Sequence, residues 1–202
     1  MSAISDSEVR SGPVRRTGRR IAGIRLASLR EIFGIDLRTL ALFRVGLAAM
    51  ILIDLASRMR DFRAFHTDFG VFPRHVAIDN LHAWAWSFHL IGGSAWFIGL
   101  LFAIAAIFAL MLLVGYRTRL AAIASWALLL SLQNRNTMIL TGEDVLLIAL
   151  AFWAMFLPLG ARFSVDAALD PAPEKTGNAY FSVATFALLI QGMSMYFFSA
   201  LL

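Results

Sequence analysis

Five apolar runs divide this chain: Leu37–Leu55, Ala95–Val114, Leu120–Leu132, Val145–Leu157 and Ala179–Leu202. The second and fifth carry no charge over ~20 residues or more, the length a helix needs to cross ~30 Å of hydrocarbon. The third and fourth are shorter, about thirteen residues each, which a helix converts into only ~20 Å. To span, each must continue into the polar stretch between them, residues 133–144, carrying amides, a guanidinium and two carboxylates to membrane depth. The pattern predicts an all-α fold, a polytopic membrane helix bundle of about five transmembrane helices.

The segment between the first two runs, residues 56–94, is long and mixed. Its second half reads as a helix lying in the interface on the outer side of the bilayer. Leu81, Trp84, Phe88 and Ile91 form an apolar stripe at helical spacing, and His75, Asp79, His82, Trp86 and His89 form a polar one. The His75–Asp79–His82 spacing suits metal ligands, but one helix rarely closes a shell alone, and no metal site is assigned. In the last run Ser182, Thr185, Gly192, Tyr196 and Ser199 share a stripe with Gln191 beside it, which predicts packing inside a bundle. That run ends without a polar cap, which reads as a domain cut within its last helix.

Composition agrees with a lipid environment. Apolar residues make up 59% of the 202, charged residues 15%, and mean hydropathy is +0.73, against ~45–50% apolar for soluble domains. Cysteine is absent, which excludes a disulfide framework, thiolate ligands and a cysteine nucleophile. The net charge of +5 does not point to nucleic acid, because its excess sits in one tail: residues 1–38 hold eight arginines and four acids. Residues 1–34 therefore read as a basic cytoplasmic tail, disordered or lying on anionic lipid as a helix near Ile21–Phe33, ahead of a transmembrane domain over 35–202. With the N-terminus inside, twelve Lys and Arg residues fall on the cytoplasmic side and five outside, as the positive-inside bias requires. A single lysine against seventeen arginines fits a GC-rich bacterial genome, and the localisation expected is the bacterial inner membrane.

Ionisable groups inside apolar runs are costly and mark sites or clamps. Arg44 and Asp54 lie in the first run, too far apart along one helix to pair. Asp54 can meet Arg58 four residues on, and Arg44 needs backbone carbonyls, a lipid phosphate or another helix. The polar stretch contributes Asn134, Arg135, Asn136, Glu143 and Asp144, either as the rim of a wet cavity or as a hairpin clamped by an Arg135–Glu143/Asp144 ion pair.

Taken in order, several of these motifs resemble the membrane domain of the vitamin K-dependent gamma-carboxylase-like family, in bacteria called the horizontally transferred transmembrane (HTTM) domain. The carrying residues are Leu40-Ala41-Leu42-Phe43-Arg44 with Asp54, then Phe65-His66-Thr67-Asp68-Phe69-Gly70-Val71-Phe72-Pro73-Arg74. Gly115-Tyr116-Arg117, Asn134-Arg135-Asn136, Gly142-Glu143-Asp144 and Phe163-Ser164-Val165-Asp166 follow. The resemblance spans about 35–202. It implies chemistry on the outer side, with a vitamin K- or menaquinone-type hydroquinone as cofactor held in a dry pocket. On that basis Asn134, Arg135, Asn136, Glu143 and Asp144 are expected at the quinone pocket, with Arg44, Asp54, Arg58, His66, Asp68 and Gln191 as further pocket or bundle residues. The chain departs from the carboxylases at two positions: Thr137 stands where the resemblance implies a histidine, and the initiating lysine would follow the fifth span. Lys175 lies on the wrong side to replace it, and no catalytic base is assigned.

The function expected is an integral membrane protein handling a lipoquinone or a secreted or membrane peptide at an outward-facing polar pocket. The alternatives are a quinol-dependent carboxylase or epoxidase, if the chain continues past Leu202, and a non-enzymatic partner in peptide-toxin maturation or export.

Overall fold

The computed structural model describes residues 34–82, 84–170 and 179–201. The basic tail, where a disordered segment or an interfacial helix near Ile21–Phe33 is expected, and Lys175 lie outside them. The regular structure among the described residues is almost wholly helical. The one departure is a short antiparallel pair, β1 (Ile35–Asp36) with β2 (Ala179–Tyr180), in which Ile35 faces Tyr180.

Four helices close a ring. They are α1 (Leu37–Arg60), α4 (Ala95–Val114), α5 (Thr118–Arg135) and α6 (Gly142–Ala154); α1 packs on α4 and α6, and α5 on the same two. Between α1 and α4 lie two short helices, α2 (Phe62–His66) and α3 (Arg74–Asp79). After α6 come α7 (Val165–Leu169) and α8 (Val183–Leu201), the latter packing on α6. The core is the ring's interior. From α4 it receives Ile98, Phe102, Ala105, Ala109 and Leu112, a stripe repeating every three or four residues. Ala48 and Ile51 of α1, Leu129 and Leu132 of α5 and Ala151 of α6 meet it. Trp96, Leu100, Ile107, Leu110 and Val114, on the opposite face of α4, are exposed.

Two helices, α1 and α4, are long and apolar enough to cross a membrane. The third apolar run does extend into the polar stretch, since α5 continues through Gln133, Asn134 and Arg135, and α6 begins at Gly142 and includes Glu143 and Asp144.

Local chemistry sets the helix ends. Ser94 caps α4, its hydroxyl accepting from the Phe97 amide at 3.3 Å. At the other end Gly115 has φ +76°, the left-handed conformation glycine adopts at least cost. The first amides of α5 are capped from a distance, because Asp166 of α7 accepts from the amides of Arg117 and Thr118, both at 2.7 Å, and from the Thr118 hydroxyl at 2.5 Å. Burial opposes ionisation of Asp166, but these bonds and the positive charge of Arg44 outweigh it and hold the carboxyl below its ordinary range.

Two sequence expectations are corrected. The helix expected through His75–Ile91 stops at Asp79, so His75, Asp79 and His82 do not share a helical face. Asn80 turns the chain by donating to the Val76 carbonyl at 2.8 Å. Beyond it Ser131 of α5 captures the segment, accepting from the Phe88 amide at 2.7 Å and meeting His89 Nδ1 at 2.7 Å. These tertiary bonds, with burial of His89, replace the intrahelical ones. The packing stripe of the last helix also fails at Gly192 and Tyr196, and the Ser199 side chain lies outside the described residues. Tyr196 is 82% exposed, and a Cβ on Gly192 would meet nothing within 4 Å. Thr185 instead closes the helix start, its amide and hydroxyl exchanging bonds with Ser182.

Candidate functional site

A cleft of about 790 Å³ lies between α1 and α6. Its α1 wall is Phe43, Gly46, Leu47, Met50, Ile53, Asp54, Ser57 and Arg58, one helical face repeating every three or four residues, with Asp61 just past the helix end. Leu146, Leu147 and Leu150 of α6 stand opposite, with Glu143 and Asp144 at the helix start. One end of the cleft is therefore apolar and the other ionised. Gly46 opens the apolar end, since a Cβ there would meet nothing within 4 Å.

The ionised end is organised by Arg58. Its Nε donates to both oxygens of Asp54 at 2.9 Å, and its Nη2 donates to Asp144 Oδ1. Asp144 also accepts from the Thr141 amide at 2.8 Å, which caps α6, while its carbonyl accepts from Gln133 Nε2 at 3.0 Å. One guanidinium thus joins the end of α1 to the start of α6, and Gln133 ties in α5. The Asp54–Arg58 pair is the one the four-residue spacing predicts. Asp144, however, pairs with Arg58, not with Arg135, and Glu143 is exposed to the cleft mouth.

His66, the last residue of α2, completes the wall. It is 1% exposed, and its Nδ1 has no hydrogen-bond partner among the described residues. His66 and His89 both set ring contacts against Phe102, at 5.6 and 6.1 Å. Burial, with the charges of Arg58 and Arg135, lowers the His66 pKa to about 4; burial, with His66 and Arg135, lowers that of His89 to about 3. Both rings are neutral at pH 7, so each presents one donor and one acceptor nitrogen.

The remaining residues expected at the site do not line the cleft, and four of them, Asp68, Asn134, Arg135 and Asn136, hold the loop over residues 61–94 to the bundle. Arg135 is fully buried; it donates to the Phe72 carbonyl at 3.0 Å and meets Asp68 at 3.5 Å. Asp68 in turn accepts from the Arg74 amide at 3.0 Å. Asn134 donates to the Trp86 carbonyl at 2.8 Å and Asn136 to that of Phe65 at 3.1 Å. At the opposite end of the bundle Arg44, 1% exposed, donates to the carbonyls of Leu159 and Phe163 at 3.0 and 2.6 Å, the backbone option its sequence position left open. Gln191 accepts from the Trp153 indole, joining α8 to α6.

No family model, curated protein or solved structure matches the chain.

Proposed function

We propose that this chain is a five-span protein of the bacterial inner membrane, its N-terminus cytoplasmic, that holds an amphiphile in the α1–α6 cleft. The cleft carries the reading: an apolar slot with an ionised head region, about 790 Å³ in volume, falls within the ~300–1,000 Å³ of small-molecule sites. In this reading the slot takes the chain and the Asp54–Arg58–Asp144 end takes the head.

The membrane part of the reading is supported by what α4 leaves uncovered. Only 28% of its apolar window is buried, and 39% of that of α1. A core helix of a soluble protein would be mostly covered, whereas a helix apolar on all faces and covered on one suits lipid. The exposed Trp84, Trp86 and Trp96 gather at the Arg58 end, where a headgroup layer would lie. Helices α5 and α8 supply two further spans, and α6, whose thirteen residues rise only ~20 Å, makes the fifth together with the chain on either side of it.

The motif resemblance to the HTTM and gamma-carboxylase-like domains adds a candidate occupant, a lipoquinone in its neutral hydroquinone form, with a peptide as the second. The residues present fit a hydroquinone as a donor: its two hydroxyls would meet carboxylates, which are acceptor-only when ionised. His66, Asp54 and Asp144 would orient such a head, and Met50, Ile53, Leu147 and Leu150 would exclude water from its chain. No chemical step is assigned.

The test is a filled cleft. Gly46→Trp puts an indole where the backbone leaves room. Protein purified in mild detergent from quinone-containing membranes should carry extractable lipoquinone or another apolar molecule in stoichiometric amount, and the Gly46→Trp protein, equally folded, should not. Equal loading of both proteins refutes the assignment.

A further inference from the structure

We infer that the head group the cleft selects is cationic: the ligand is an apolar chain ending in a protonated amine. This rests on the reading of the cleft as an amphiphile site and puts a different head, an ammonium, in place of the hydroquinone that the motif resemblance suggests. Four carboxylates line the polar end, those of Asp54, Asp61, Glu143 and Asp144, against the single guanidinium of Arg58. Formally that leaves three negative charges around an opening whose other walls are apolar. Arg58 is already engaged by Asp54 and Asp144, so its charge is compensated within the wall. Asp61 and Glu143 are exposed at the mouth, and among the described residues neither forms an ion pair.

Unsatisfied hydrogen-bonding capacity lies at the same end, through an observation independent of the acids. His66 is buried in the same wall, with Nδ1 unpartnered among the described residues. A carboxylate offers about four acceptor positions. The three bonds Asp144 accepts, from Arg58 and from the amide and hydroxyl of Thr141, leave one, and the two Asp54 accepts from Arg58 leave two. An ammonium brings three donors, no acceptor and a positive charge, matching acceptors left over and a net negative rim. A carboxylate or phosphate head would meet like charge, and an anionic quinolate would do so equally.

Native mass spectrometry of the full chain in a nonionic maltoside detergent at pH 7 tests this with three probes of equal chain length: dodecylamine, dodecanol and dodecanoate. Dodecylamine should saturate a single site at concentrations about tenfold below dodecanol, the factor ~1.4 kcal/mol provides, and dodecanoate should bind more weakly still. The double substitution Asp61→Asn/Glu143→Gln changes two exposed side chains outside the Arg58 cluster. It should bring amine and alcohol to within a few-fold of each other, chiefly by weakening the amine. Dodecanol or dodecanoate binding as tightly as the amine overturns the cationic head but leaves the amphiphile site standing. An amine preference that survives the double substitution also overturns it, and binding of none of the three overturns the site itself.

Discussion

Arg58→Met should destabilise the protein by about 3 kcal/mol, towards the lower end of the ~3–5 kcal/mol typical when one member of a buried ion pair is removed. The structure sets that estimate. The Arg58 and Asp144 side chains are 10% and 7% exposed and that of Asp54 is 20% exposed. These pairs are too covered for the ~0–1 kcal/mol of surface salt bridges. Methionine keeps the length and apolar stem, so packing loss is small and the loss is mainly electrostatic. Two carboxylates are then left beside an apolar cleft without a cation, though Asp144 retains its bonds from Thr141. Adding Asp54→Asn removes one of the two uncompensated charges and should restore about 1–2 kcal/mol. Equilibrium unfolding in bicelles by titration with a denaturing detergent, followed by tryptophan fluorescence, measures both. If Arg58→Met lies within about 1 kcal/mol of wild type, or Asp54→Asn restores nothing, the cluster does not join α1 to α6 as argued.

Stability should fall with acid in a window set by the histidines. In the unfolded chain each histidine takes a proton near pH 6.5, while in the fold His66 stays neutral to about pH 4 and His89 to about pH 3. The unfolded state therefore binds more protons below pH 6.5. Stability is full above that pH and declines towards pH 4, by about 3 kcal/mol from His66 alone; an unchanged midpoint between pH 7 and pH 4.5 would count against the neutral pair. Gly93→Ala would place a Cβ on the Asp68 carboxylate, which must move and leave Arg135 without its acid. A loss of about 2–4 kcal/mol is expected, whereas Gly99→Ala, whose Cβ meets nothing within 4 Å, should be neutral or stabilising by up to ~1 kcal/mol. Comparable melting curves for the two variants would refute the role given to Asp68.

Features with a short-range cause were legible in the sequence. Asp54 and Arg58 sit four residues apart on one helix and pair; Arg44, isolated among apolar neighbours, had to find a carbonyl or a charge and found two carbonyls. The polar stretch after Leu132 had to be partly helical because thirteen apolar residues are too short, and α5 does run to Arg135. What depended on which helix faces which was not legible. Arg135 and Asp144 lie nine positions apart and invited pairing, but the turn over residues 136–141 sends Arg135 towards Asp68 and Asp144 towards Arg58. His89 read as part of a polar stripe because local periodicity cannot register the pull of Ser131, forty-two positions away. The cleft left one trace that could have been followed: Phe43, Gly46, Met50, Ile53 and Ser57 repeat on one face of α1 and, with Asp61 just past the helix end, grade from apolar to acidic.

That the cleft holds a chain is tested most directly by photo-crosslinking in vesicles with a long-chain amine bearing a diazirine near its tail, the sites mapped by mass spectrometry. Crosslinks should concentrate on Phe43, Leu47 and Leu150 and disappear in Gly46→Trp. Crosslinks spread evenly over the exposed face of α4, at Leu100, Ile107 and Leu110, and unchanged by that substitution, would mean that the chain meets only the outside of the bundle and that the cleft is not its site.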